Sequence, residues 1–513
     1  MRIVMIAAEC EPWAKTGGLG DVVDALARAL GEIGRGFGVR AAGGAGVEGV
    51  DAPVEVFLPR YRSVPVPGDA VVGHELSVPD PFAGGAGGTS TVRIVEVPAD
   101  GYRLRLVDHP AAFDRDGFYG DRTGDYPDNA WRFGLFCRSA LEALRADGAP
   151  VDALHLHDWQ AGPAILYRDL FYGEDPILGR TAVTTTVHNL AYHGWVPREA
   201  VPQLGLTLSD AVLAWDASGI DLLGASLERA EVANTVSPAF AREALTTQYG
   251  MGLERILREK GDRFVGILNG LDTELWDPAR DAALAAGYSA DDRAGKAACR
   301  ADLLRRVGFD ADDDGPVIGM IGRLDPQKGF DLVAGAAEAL VAAGARLIVL
   351  GAGDPKIAEP LRASVAAHPR DVTLLERFDR DMARRIYAGS DFFAMPSRFE
   401  PCGQGQMIAL RYGTPPIVRR TGGLADTVVD ADARPADGTG FAFDEATAAG
   451  FQAACERAIA FRARGGEAWE ALLDRGMAVD FDWRRSSAPR YLATYRRAVE
   501  LRATGVKAAA RAT

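Results

Sequence analysis

Residues 392–406, Phe-Phe-Ala-Met-Pro-Ser-Arg-Phe-Glu-Pro-Cys-Gly-Gln-Gly-Gln, set one acid, Glu400, between an apolar run and a helix start. The run 392–395 predicts a short buried strand that Pro396 ends. Residues 405–412 read as a helix, whose unsatisfied N–H groups point back at the loop. A carboxylate beside an anion-binding helix start suits the stabilisation of a sugar cation as it departs from a diphosphate. An ordinary strand–loop–helix with a salt-bridged glutamate would have the same local sequence, so the rest of the chain has to decide.

Other stretches carry compatible chemistry. Lys15-Thr16-Gly17-Gly18-Leu19-Gly20 follows a predicted strand at 3–8 and opens a periodic helix at 22–33. It has neither the Gly-x-Gly-x-x-Gly spacing of a dinucleotide site nor the Gly-Lys-Ser/Thr of a P-loop. Its lysine precedes the glycines and can reach forward across a closely packed backbone, or simply be solvated beside a tight turn. Arg323 and Lys328 are five residues apart in a loop between a predicted strand at 317–321 and a helix at 330–342. Two cations so placed suit a diphosphate, although surface charges would read alike. Thr421-Gly422-Gly423-Leu424 opens a further helix with unhindered N–H groups, a second anion-facing nest. Two β-branched or apolar strands end in polar clusters, His155-Leu156-His157-Asp158 and His188-Asn189, and open α/β sheets put ligands at such strand ends. His-x-His-Asp resembles a metal-ligand spacing, but nothing elsewhere completes a set, and a packing role suits His155 better.

These stretches must be positioned by a chain of 513 residues, too long for one core, so two domains are expected. The reading is α/β throughout. Residues 1–276 form a first domain, 277–314 a charged, alanine-rich hinge, and 315–482 a second βα series. The helix after Trp483 (483–513) then crosses back to the first domain. Residues 34–52, rich in glycine and alanine, read as a surface insertion. The net charge of −14, with no dense Lys/Arg block, argues against nucleic-acid and anionic-membrane surfaces. Five scattered cysteines without C-x-x-C spacing read as free thiols of a reducing compartment. The opening strand is not a leader and no apolar run suffices to span a bilayer. A cytoplasmic protein is therefore expected.

In order and spacing these motifs resemble the bacterial glycogen/starch synthases, retaining glycosyltransferases of the GT-B fold. The matching residues are Lys15-Thr16-Gly17-Gly18-Leu19, His157-Asp158-Trp159, Thr186 through Tyr192, Arg323-Leu324 with Gln327-Lys328-Gly329, Ser397 through Gly403, and Arg419 through Thr427. The resemblance implies two Rossmann-like domains facing a cleft. It also implies transfer of glucose from ADP-glucose to the non-reducing-end 4-hydroxyl of an α-1,4-glucan. Glu400, His188, Asp158, Arg323 and Lys328 would then be the catalytic group. Lys15, Gly17, Gly18, Phe378, Cys402, Gly403, Thr421, Gly422 and Gly423 would bind the donor, with the last two presenting N–H groups to phosphate. Asp158, His188, Asn189 and Asn269 would line the acceptor and sugar pocket. No obligatory metal or cofactor is expected, since cations and helix-start amides can neutralise the leaving group. Gln404-Gly405 departs from the family pattern after Pro-Cys-Gly and bears on the stiffness of the cradle. Phe378 would stack on adenine or uracil alike, so a retaining GT-B enzyme using UDP-glucose or another acceptor remains the alternative.

Overall fold

A computed structural model describes residues 1–34, 54–83, 87–207 and 218–512. The insertion expected at 34–52 lies outside these residues apart from Gly34, which ends the helix Gly18–Gly34. The chain divides into two compact units. Unit 1 comprises Met1–Val236, Ala241–Gly270 and Trp483–Thr513, and unit 2 comprises Ser237–Phe240 and Leu271–Asp482.

Unit 1 is built on a sheet that is nine-stranded among the described residues. Its spatial order is Phe264–Gly266, Val232–Thr235, Ala182–Val187, Ala153–His157, Ile3–Ile6, Val54–Pro59, Tyr102–Asp108, Thr89–Pro98 and Val71–Pro79. It is parallel as far as Tyr102–Asp108, and the last two strands are antiparallel. The central strands are continuous apolar or β-branched runs because helices cover both faces of a parallel sheet. Ile3–Ile6, for example, is buried at every position. The edge strand Val71–Pro79 is not among the strands expected above. Most of its residues are solvated, so it lacks the apolar alternation that would reveal it.

The C-terminal helix Ala488–Ala512 belongs to unit 1 and lies against the strand Ala182–Val187 and the helix Gly18–Gly34. Tyr491 and Tyr495 are its fully buried anchors.

Unit 2 carries a parallel six-stranded sheet ordered Val372–Leu375, Arg346–Leu350, Val317–Ile321, Phe392–Met395, Pro416–Arg419 and Phe441–Phe443. Residues 277–314, expected as a hinge, are part of this unit. Leu303, Leu304 and Phe309 pack with Val317, Ile348 and Ile386. Lys296 Nζ donates to Ala388 O (2.9 Å), Tyr412 O (3.0 Å) and Thr414 Oγ1 (2.7 Å). A segment so tied is body, not linker.

Candidate functional site

Glu400 lies in the loop after Phe392–Met395, 5% exposed. Its Oε2 accepts from Lys328 Nζ at 2.6 Å and from Ser397 Oγ at 2.9 Å. Lys328 ends the short 3-10 turn Pro326–Lys328, whose start is capped by Asp325 Oδ1 accepting from Gln327 N at 2.9 Å. Gln327 laces this turn to the Glu400 loop, donating from Nε2 to Phe399 O (3.0 Å) and accepting at its carbonyl from Arg398 N (2.8 Å). The acid and its cation are thus fixed by one hydrogen-bonded pair of loops. Arg323 stands nearby in sequence but is half exposed, 3.7 Å from Asp325. It is not drawn to Glu400.

Gly422 and Gly423 are required by close approach. A Cβ on Gly422, which has φ +44°, would lie 2.0 Å from Glu400 O, and one on Gly423 would lie 2.1 Å from Cys402 O. The Gly423 N–H, expected to face a phosphate, instead donates to Glu400 O at 3.0 Å. Its visible work is to hold the Glu400 loop. Gln406 adds a second tie, donating from Nε2 to Cys402 O (3.0 Å) and Thr427 Oγ1 (3.1 Å). Cys402 and Thr421 are buried, Gly403 has φ +71°, and Phe378 is 83% exposed on the loop after Val372–Leu375.

In unit 1, Asp158 begins the short helix Asp158–Ala161 with φ 57°, a left-handed conformation unusual outside glycine. Its carboxylate accepts from His188 N at 2.7 Å and from the backbone of Asn189. The expected pocket residues Asp158, His188 and Asn189 are therefore together. Burial, reinforced by the negative charge of Glu9, pushes the Asp158 carboxyl up to about 7. Burial holds His188 down at about 3, so its imidazole is neutral. Asn189 Oδ1 accepts from Ala191 N at 3.0 Å, fixing the turn. Asn269 is buried with its Oδ1 unpartnered. His155 does not offer a metal ligand, because its Nε2 meets Thr186 Oγ1 (2.6 Å) and its Nδ1 meets Tyr495 OH (2.8 Å). Among the described residues no His, Cys, Asp or Glu group is arranged to hold a metal.

Lys15 pairs with Asp21 at 2.5 Å and lies 3.7 Å from Glu11. The Gly17 N–H is also engaged, donating to Glu9 Oε2 at 3.1 Å. Glu9 was missed by sequence reasoning. Only 3% exposed, it accepts in addition from Thr16 N (2.6 Å), Thr16 Oγ1 (2.6 Å) and Tyr119 OH (2.7 Å). The available signal was an acid directly after a buried strand and just before a glycine turn.

Residues 2–41 and 46–259 match the starch synthase catalytic domain family, and 315–460 match the glycosyl transferases group 1 family. Glycogen synthase of Syntrophotalea carbinolica is 42% identical over 98% of this chain and 99% of its own length. The chain belongs to the glycogen/starch synthase family. Another member, glycogen synthase 2 of Geobacter sulfurreducens, is 38% identical over 98% of this chain and 100% of its own. The catalytic domain of starch synthase IV from Arabidopsis thaliana, solved with ADP and acarbose, superposes with a TM-score of 0.85. It is 32% identical, covering 97% of this chain and 99% of that one. The fold is GT-B and the activity is that of a glycogen synthase, a hexosyltransferase. Lys15, Asp158 and His188 fall within the starch synthase catalytic domain match and Arg323, Lys328 and Glu400 within the group 1 match, whereas Asn269 lies outside both. No helix among the described residues is long and apolar enough to cross a membrane.

Proposed function

We propose that this glycogen synthase takes ADP-glucose as donor and extends an α-1,4-glucan at its non-reducing-end 4-hydroxyl with retention, in the cytoplasm and without an obligatory metal. The observation that carries the residue assignments is the contact between Lys328 Nζ and buried Glu400 Oε2. As the anomeric bond to the diphosphate breaks, positive charge grows on the glucosyl ring and negative charge on the leaving oxygen. A fixed carboxylate and a fixed ammonium held side by side oppose those two charges without reorganising. Lys328 holds Glu400 in place and can share its remaining N–H donors with a phosphate oxygen. Arg323, exposed in the same turn region, is assigned to the diphosphate, and exposed Phe378 to the base. Lys15 is assigned to the donor on the family resemblance alone.

The unit 1 residues serve the sugar. Asp158 clamps the backbone of 188–189, so neutral His188 is presented from a fixed turn to a hydroxyl. The Arabidopsis relative was solved bound to ADP and acarbose, which supports a nucleotide-sugar donor and a glucan acceptor here. Parallel incorporation of labelled glucose from ADP-glucose and UDP-glucose into glycogen tests the donor, and incorporation from UDP-glucose alone would overturn it.

A further inference from the structure

His157 is fully buried, and its Nδ1 lies 3.0 Å from Nε2 of His188 with the rings nearly parallel. Burial holds both imidazoles well below their ordinary pKa, so at neutral pH the two rings share one hydrogen across that contact. Two arrangements satisfy it. If His188 Nε2–H donates, the proton of His157 must sit on its Nε2, which is buried with no hydrogen-bond partner. If His157 Nδ1–H donates, only a lone pair is left there. A buried orphan N–H is the rarer and costlier of the two, because a donor taken out of water and left unpaired loses its hydrogen bond outright. The second arrangement places the proton of His188 on Nδ1.

We infer that His157 is a positioning residue that fixes the tautomer of His188, so that His188 presents Nδ1–H as a hydrogen-bond donor to a sugar hydroxyl oxygen. The partner on one ring nitrogen decides the state of the other. His157 is itself packed in place: it is the last residue of the strand Ala153–His157, and its ring lies 4.0 Å, centroid to centroid, from that of His155. His155 is in turn pinned by Thr186 and Tyr495. The inference rests on the reading above that His188 meets the sugar.

The test has a spectroscopic arm and a kinetic arm. In full-length protein labelled with 15N at the histidine rings, with the His188 signals assigned by their loss in His188→Gln, Nδ1 of His188 should be proton-bearing and Nε2 bare. The pattern should hold between about pH 6 and 8. In His157→Asn the side-chain amide stands where Nδ1 stood, whereas in His157→Gln it is displaced toward the former Nε2. His157→Asn should retain kcat within about threefold, and His157→Gln should lose about tenfold or more, with KM for ADP-glucose within about twofold in both. A proton on His188 Nε2, or equal kcat in the two variants, would overturn the inference. If the unaltered protein transfers no glucose from ADP-glucose, the proposed function fails, and the 15N arm alone decides the tautomer.

Discussion

Glu400 and Lys328 are one charged unit held by Ser397 and the Gln327 lacing, so their removal should have different signatures. Glu400→Ala should lower kcat by about 10²–10³-fold, the scale of losing one preorganised electrostatic group. ADP affinity by calorimetry should stay near normal, and unchanged turnover would remove Glu400 from the chemistry. Lys328→Ala should raise donor KM and lower kcat together, because a phosphate cation acts in both ground and transition states. A normal donor KM would count against that role. Asp158 gives a pH prediction. Its carboxyl is raised from 3.8 to about 7 on folding, so between those values the native protein binds more protons than the unfolded chain. Stability from this group therefore falls as pH rises through that window. Asp158→Asn, which cannot ionise, should gain in melting temperature relative to the unaltered protein on going from about pH 5 to pH 8. A pH-independent difference would show the carboxyl to be unperturbed.

At the scale of elements, strand ends and glycine turns do the positioning, and their partners come from distant sequence. Tyr495 on the C-terminal helix donates to or accepts from buried His155. Tyr495→Phe should therefore cost about 1–3 kcal/mol of unfolding free energy in a denaturant titration; no measurable loss would show that the hydroxyl contributes nothing. The parallel strands and their polar ends were legible because apolar runs and turn residues are local signals. The placement of Glu400, Lys328 and the His188 turn in loops at strand ends was legible for the same reason. The four donors to Glu9 were not, since Tyr119 lies 110 positions away and the local pattern marks only an acid at a strand end. The engagement of the Gly17 and Gly423 amides was likewise hidden. Their spacing shows that N–H groups are exposed by the turn, whereas their use by Glu9 and by Glu400 O is a tertiary choice. The strand Val71–Pro79 was lost because an edge strand with solvated faces has no buried periodicity.

At the scale of the whole molecule, the chain forms two compact units, and residues 237–240 belong to unit 2 although the chain on both sides belongs to unit 1. Within unit 2 that segment is secured by Asp426, whose Oδ2 accepts from Ser237 Oγ (2.6 Å) and Ala239 N (2.8 Å). The net charge of −14 makes the cations of the proposed donor site, Arg323 and Lys328, local exceptions in an acidic protein. Donor binding should therefore weaken with added salt less than for a protein steered by its overall field. That this chain builds α-glucan from ADP-glucose with protein charges in place of a metal, as proposed, is tested by incorporation of labelled glucose into glycogen from ADP-glucose and from UDP-glucose, each with and without EDTA. Preferential incorporation from ADP-glucose, undiminished by EDTA, is the predicted result. Incorporation only from UDP-glucose, or abolished by the chelator, would contradict it.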